Sequence, residues 1–140
     1  MVIASENASF LQAFARIGLI PDAGGTYVLP RQVGLARAMG MALFAEPVKA
    51  REAAEMGLIW EAVPEAEFEA RWRARAAQLA SGPGLAYAGI KKALRASGGN
   101  DLTAQLAMEA KLQADCGRSA DFAEGVAAFL GKRKAVFQGT

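Results

Sequence analysis

The sequence predicts a mainly α-helical fold, and three observations support this. The strand signals lie in two short segments only, residues 2–5 and 58–63. From residue 65 onward, apolar residues recur every three or four positions, as they do on a helix that buries one face. Glycine, proline and small polar residues interrupt this pattern where helices would be connected. We therefore expect residues 1–64 to form the end of a core and residues 65–140 to form a helical oligomerisation region.

The first region is predicted to alternate short strands with short helices. Residues 2–5 are typical of a buried strand, but no partner strand lies within reach in the sequence, so we expect them to pair with a sheet from elsewhere. Residues 23–45 are predicted to be helical, and residues 49–56 to form a short helix before the strand at 58–63. Breaks are predicted at residues that interrupt or end helices and strands: Pro30, Gly34, Gly57 and Pro64.

The second region is predicted to contain four helices. The first covers residues 65–80, where Glu69 and Arg73 form a favourable i,i+4 pair. A second helix ends at residue 96, and the loop at 97–101 supplies a capping residue for the third. The last helix begins at Ser119 or Asp121. Apolar stripes are expected on the first, third and last of these helices: Phe68, Trp72, Ala76 and Leu79; Leu102, Leu106, Leu112 and Cys116; Phe122, Val126, Phe129 and Leu130.

Composition excludes several classes of function. The 140 residues carry a net charge of +2 with both signs scattered, which does not favour nucleic acid; a basic run at residues 131–134 is the local exception. There is no histidine and only one cysteine, so histidine-dependent metal sites and Ser-His or Cys-His catalysis are excluded within the chain. Neither a signal peptide nor an apolar run of membrane-spanning length is evident, and a cytoplasmic protein is expected.

The turn at residues 21–25, Pro-Asp-Ala-Gly-Gly, is the most informative motif. Proline interrupts the preceding segment, and the paired glycines allow the backbone to approach another group closely. Asp22 therefore has two interpretations. It is either the N-cap of the following helix or a carboxylate held over a bound substrate.

Several segments together resemble the crotonase (enoyl-CoA hydratase/isomerase) superfamily. They include Gly-Leu-Ile-Pro-Asp-Ala-Gly-Gly-Thr at residues 18–26 and Glu-Gly-Val-Ala-Ala-Phe-Leu-Gly-Lys-Arg-Lys at residues 124–134. Shorter matches occur in the family's order at residues 8–10, 29–31, 34–38, 50–53 and 57–59. The resemblance covers essentially the whole chain. It implies the C-terminal part of a crotonase fold (a ClpP/crotonase-like α/β spiral), namely the last core strands followed by the helical trimerisation region.

The resemblance also implies what the chain acts on and what it lacks. The substrate is expected to be an acyl-CoA, with coenzyme A as part of the substrate rather than a separate cofactor, and with no metal. A homotrimer or a dimer of trimers is expected. In the family, the oxyanion hole for the thioester carbonyl and the usual coenzyme A segment belong to the preceding half of the subunit. We therefore expect the isolated 140-residue chain to be inactive.

Five residues are assigned to the site by this resemblance. Asp22 matches the aspartate that moves a proton in isomerases of the family. Phe14 stands where hydratases have a glutamate, which argues against water addition; it and Leu11 are expected to line the substrate pocket, although Phe14 could equally be a core aromatic. Phe129 and Lys132 match positions that contact coenzyme A, although alone they could be a core residue and a solvated chain end.

Segments at residues 16–22, 38–40, 57–60 and 117–121 further resemble the branch that isomerises 1,2-epoxyphenylacetyl-CoA in phenylacetate degradation. Two alternatives stay open. One is a non-catalytic helical oligomerisation fragment. The other is an isomerase with a different substrate, such as an enoyl- or dienoyl-CoA isomerase of fatty-acid degradation or a dehalogenase-like enzyme.

Overall fold

The computed structural model describes all 140 residues, which separate into two compact units, Met1–Ala74 and Arg75–Thr140. The division falls within a long helix, Glu65–Ala80. The first unit contains these elements: β1 (Ile3–Ser5), β2 (Ser9–Phe10), a 3-10 helix (Ala13–Ile17), α1 (Gly25–Val33), α2 (Leu35–Phe44), β3 (Val48–Lys49), α3 (Ala50–Glu55), β4 (Glu61–Val63) and the start of α4 (Glu65–Ala80). The second contains the rest of α4, then α5 (Gly84–Ala96), α6 (Leu102–Gly117) and α7 (Ala120–Leu130). The predicted mainly α-helical fold is confirmed.

The first strand has a partner within the chain, so the expectation that no partner strand lies within reach is wrong. β1 pairs in parallel with β4, with Ile3 opposite Glu61 and Ser5 opposite Val63. A second pair, β2 with β3, is antiparallel and was not predicted, because strands of two residues carry too little periodicity to detect. The intervening helices supply the crossover that a parallel pair requires.

The core of the first unit lies between these strands and helices α1–α3. Ala50 and Ala53 of α3 are fully buried, which lets this helix approach its neighbours closely. Larger apolar side chains from other elements complete the cluster: Leu29, Val33, Met41, Val48 and Ile59. Burial of these side chains is the main stabilising contribution available to the unit.

The break between α1 and α2 occurs at one of the two predicted positions. Pro30 lies inside α1, where it removes one hydrogen-bond donor without ending the helix. Gly34 does end it, with φ +81° and ψ 159°, a conformation open essentially to glycine only. Gly57 follows the end of α3 with φ +83°, as predicted.

In the second unit, α6 packs against both α5 and α7. Asp101 caps α6, since its Oδ1 accepts the Ala104 N–H at 2.7 Å. Ser119 caps α7 by accepting the Phe122 N–H at 3.0 Å, which decides between the two predicted caps. The predicted Glu69–Arg73 ion pair on α4 is present at 2.8 Å. None of the helices combines the length and the hydrophobicity needed to cross a membrane.

Candidate active site

Asp22 lies in the turn before α1 and does not cap it. The helix begins at Gly25 with Gly24 as its N-cap, so Asp22 lies too early in the chain for its side chain to fill that position. Its backbone carbonyl accepts the Gly25 N–H at 2.7 Å, whereas its carboxylate forms no hydrogen bond or ion pair. The N-cap interpretation is therefore wrong, and the carboxylate of Asp22 is exposed and unpaired.

The turn that carries Asp22 has an unusual backbone conformation. Ala23 and Gly24 both have positive φ, at +49° and +83°. For alanine this left-handed conformation costs about 1–2 kcal/mol. A Cβ atom on Gly25 would lie 3.3 Å from the Cβ of Pro21, so the glycine lets the turn close tightly over the proline. Strained, compact turns of this kind are common at functional sites.

Phe14 lies in the 3-10 helix that precedes this turn. Its side chain is half-buried, and its carbonyl accepts the Leu19 N–H at 3.0 Å, which folds the following segment back. Arg16 ties the same helix to the end of α2 by donating from Nη2 to the carbonyl of Ala45 at 2.5 Å. Leu11, just before this helix, is 41% exposed. Phe14 is thus neither a fully buried core residue nor a free surface residue.

The segment between Phe14 and Asp22 is an exposed apolar surface. Ile17, Leu19 and Ile20 are all largely exposed, and Ile20 reaches 78%. Single exposed apolar residues are common on proteins, but three within four positions indicate a surface that contacts another group. The unpaired carboxylate of Asp22 therefore adjoins an apolar strip.

Phe129 and Lys132 lie at the end of α7 in the second unit. Phe129 is 83% exposed, so its interpretation as a core residue is wrong. Lys132 is also exposed, directly follows the helix end and has φ +50°. An exposed aromatic ring and an unpaired ammonium group thus occur within one turn of each other.

The second unit also contains an open cavity of about 600 Å³. Helices α5, α6 and α7 and the C-terminal segment supply its walls, which are mainly apolar and include Phe122, Val126, Phe129 and Phe137. The predicted stripe on α7 therefore faces a cavity and solvent rather than a packed core. No group of three or more Cys, Asp or Glu side chains is arranged to hold a metal ion.

Two carboxylates on α7 were not assigned a role from the sequence. Asp121 was considered only as a helix cap, but it is 4% exposed and accepts hydrogen bonds from the C-terminal segment. Glu124 pairs with Arg133 at 2.6 Å. The spacing of Asp121 and Glu124 on one helix face was visible in the sequence, but their partners follow the helix in irregular chain, where no periodicity predicts contacts.

The architecture is that of the C-terminal part of a crotonase fold, and comparison with known proteins supplies the family. The model of the enoyl-CoA hydratase/isomerase family matches residues 1–140, and the chain belongs to this family. A solved enoyl-CoA hydratase from Bacillus anthracis superposes with a TM-score of 0.92 at 33% identity, over 99% of this chain and 54% of that one.

Two curated relatives differ in the reaction that their names give. The "Probable enoyl-CoA hydratase" of Rhodobacter capsulatus is 66% identical over 139 residues, which are 99% of this chain and 54% of the relative. The "1,2-epoxyphenylacetyl-CoA isomerase" of Escherichia coli is 44% identical over 139 residues, which are 99% of this chain and 53% of the relative. The chain thus spans about half the length of these curated relatives.

Proposed function

We propose that the chain belongs to an acyl-CoA isomerase in which Asp22 transfers the proton. The observation that carries the proposal is the free carboxylate of Asp22, which caps no helix and adjoins an exposed apolar strip. A carboxylate without a hydrogen-bond partner is available to a substrate. The apolar strip is suited to an acyl or aromatic group.

The chemistry requires only one such carboxylate. A thioester carbonyl acidifies the neighbouring carbon, and an oxyanion hole stabilises the enolate that forms when a proton leaves. Asp22 would accept this proton and return it to another atom of the same substrate, so that no atoms are gained or lost. We assign the oxyanion hole to the part of the family fold that residues 1–140 do not include.

Phe14 supports isomerisation over hydration. Adding water to a double bond needs groups that activate the water and protonate the carbon, and a phenyl ring can do neither. Half-burial of Phe14 just before the Asp22 turn suits a pocket wall, to which we also assign the partly exposed Leu11, three residues earlier in the chain. We propose 1,2-epoxyphenylacetyl-CoA as the substrate, and the 44% identity to the Escherichia coli isomerase supports this.

We further propose that Phe129 and Lys132 contact the coenzyme A portion of the substrate. An exposed ring can stack on adenine, and an unpaired ammonium group can meet a phosphate. Coenzyme A then enters as part of the substrate, and no separate cofactor takes part. The apolar cavity and the exposed stripe of α7 support association into a homotrimer or a dimer of trimers, because association removes this surface from water.

A chimeric enzyme tests the proposed isomerase activity. The part of the Rhodobacter capsulatus relative that this chain does not match is fused to residues 1–140, and turnover of 1,2-epoxyphenylacetyl-CoA is compared with hydration of a 2-enoyl-CoA. We expect isomerisation to exceed hydration. The reverse order would overturn the proposal. Isomerisation of simple enoyl-CoA substrates alone would favour an enzyme of fatty-acid degradation.

A second candidate function is a non-catalytic assembly module. The exposed apolar residues of α7 favour it, since a surface of this kind suits oligomerisation whether or not the protein turns over substrate. A folded, oligomeric chimera without either activity would select this candidate.

A further inference from the structure

The C-terminal segment of the chain, residues 134–140, is tied to α7 by two carboxylates. We call this segment the strap, and Asp121 and Glu124 the carboxylate pair. Glu124 Oε1 accepts the Val136 N–H at 2.8 Å. Asp121 accepts the Gln138 N–H at Oδ1 at 2.7 Å and the Gly139 N–H at Oδ2 at 3.0 Å. Since the pair lies three residues apart on α7, both carboxylates face the strap from the same side of the helix.

Packing supports these hydrogen bonds. The Asp121 N–H donates to the carbonyl of Thr140 at 3.0 Å, so Asp121 both accepts from the strap and donates to it. A Cβ atom on Gly125 would lie 3.6 Å from the ring of Phe137, which means that the ring lies directly over the backbone of α7. The strap is therefore held by an apolar contact as well as by polar ones.

Between α7 and the strap, the backbone reverses at Lys132. The Arg133 N–H donates to the carbonyl of Ala128 at 3.0 Å, and the Lys132 N–H donates to that of Phe129 at 3.2 Å, which is the Schellman pattern of a helix end. The residue at the position of Lys132 has positive φ and is usually glycine. For a lysine this left-handed conformation is sterically unfavourable, so contacts around it must hold the reversal in place.

Glu124 also binds the side chain of Arg133, the residue that follows Lys132. Nη1 and Nη2 of Arg133 donate to both carboxylate oxygens of Glu124, at 2.6 and 2.7 Å. These hydrogen bonds and the one from Val136 lower the pKa of Glu124 from 4.5 to about 2, and Glu124 in turn raises the pKa of Arg133. Glu124 and Arg133 are therefore both ionised at neutral pH. Planar, two-point pairing of this kind restricts the orientation of both groups.

We propose that the carboxylate pair positions Lys132: by binding Arg133 and the strap, Asp121 and Glu124 hold the backbone reversal from which the exposed side chain of Lys132 extends, three residues after Phe129. The contact between Lys132 and coenzyme A, for which this positioning would matter, rests on the proposed function above. The carboxylate pair itself touches no substrate in this proposal. Asp121 and Glu124 are positioning residues.

The first test is amide hydrogen exchange in the 140-residue chain by NMR. Glu124→Gln is expected to raise the exchange rate of the Val136 amide by about tenfold, because a neutral amide oxygen accepts a weaker hydrogen bond than a carboxylate. Asp121→Asn should do the same at Gln138 and Gly139. Both substitutions should shift the backbone resonances of Lys132.

The matched control is Asp115→Asn, which removes an exposed carboxylate that also pairs with an arginine, Arg118, at 2.6 Å. It should leave the strap amides and the Lys132 resonances unchanged. Rapid exchange of the strap amides in the unsubstituted chain would refute the binding of the strap to α7. If the exchange rates of the strap amides rise while the backbone resonances of Lys132 do not shift, the proposal that the carboxylate pair positions Lys132 is refuted.

The second test titrates coenzyme A into the chimera described under the proposed function and follows the resonances of residues 129–133. Lys132→Gly should raise Tm, because it relieves the positive φ, yet weaken coenzyme A binding; a merely structural lysine would show only the first effect. Glu124→Gln should also weaken binding. In the Lys132→Gly background it should weaken binding no further, because Glu124 acts through Lys132. Additive losses would refute the proposal.

The two proposals fail separately. If coenzyme A does not perturb Lys132 or Phe129 in the chimera without further substitutions, the coenzyme A contact of the proposed function is wrong. The exchange rates and the Lys132 resonances then still decide whether the carboxylate pair holds the reversal.

Discussion

Replacing Asp22 by asparagine tests the proposed catalytic role most directly. Because the carboxylate forms no hydrogen bond or ion pair and caps no helix, its loss removes no stabilising contact. The free energy of unfolding should therefore change by no more than about 0.5 kcal/mol. An acid–base group contributes about 10²- to 10⁴-fold to rate, which corresponds to about 2.7–5.4 kcal/mol of transition-state stabilisation.

The assay measures kcat and KM for 1,2-epoxyphenylacetyl-CoA in the chimera described above, together with urea unfolding. We expect Asp22→Asn to lower kcat by about 10²- to 10⁴-fold with little change in KM, because asparagine keeps the shape but cannot accept the proton. Glu46→Gln is the matched control, since Glu46 is another exposed carboxylate of the first unit. A kcat that stays within a factor of about three, or an equal loss in the control, would refute proton transfer by Asp22.

Three further predictions concern stability and are checked by urea unfolding. Leu29→Ala should cost about 2–5 kcal/mol, because Leu29 is a buried residue of the first unit's core; a loss below about 1 kcal/mol would contradict the core described here. Asp101→Ala should destabilise α6 by about 1 kcal/mol through loss of the cap, whereas Asp22→Ala should have almost no effect; equal effects would contradict the assigned caps. Because the pKa of Glu124 is lowered to about 2, its contribution to the free energy of unfolding is fully present above about pH 4.5 and is lost as the pH falls toward 2. Glu124→Gln should therefore make the free energy of unfolding depend less on pH in this acidic range. An acid limb unchanged by that substitution would show that the pair with Arg133 contributes nothing in solution.

The helices were largely predictable because their signals are local. The bounds of α4 match the predicted residues 65–80, and the end of α3 before Gly57 follows from glycine's access to positive φ. Predictions that needed distant contacts were poorer. The partner of β1 was missed because β4 lies far away in sequence, and Pro30 was expected to break a helix that tertiary packing retains.

The site residues show the same division. Motifs select five site residues from the sequence: Asp22, Phe14, Leu11, Phe129 and Lys132. The exposure and hydrogen bonds of each depend on the fold. The N-cap interpretation of Asp22 depended on where the helix begins, and a difference of two residues in that boundary decided it. The exposure of Phe129 likewise could not be predicted, because an apolar stripe has the same pattern whether it is covered or open.

The sequence alone determined the helical class, the presence of a capping residue before α6, and the family-like segments, since each depends on residues near one another in the chain. The structure then chose Ser119 over Asp121 as the cap of α7. Only the tertiary structure decided the pairing of β1 with β4, the unpaired state of Asp22 and the binding of the strap by Asp121 and Glu124. These features arise where separate segments meet. Contacts of that kind depend on the path of the whole chain rather than on local propensity.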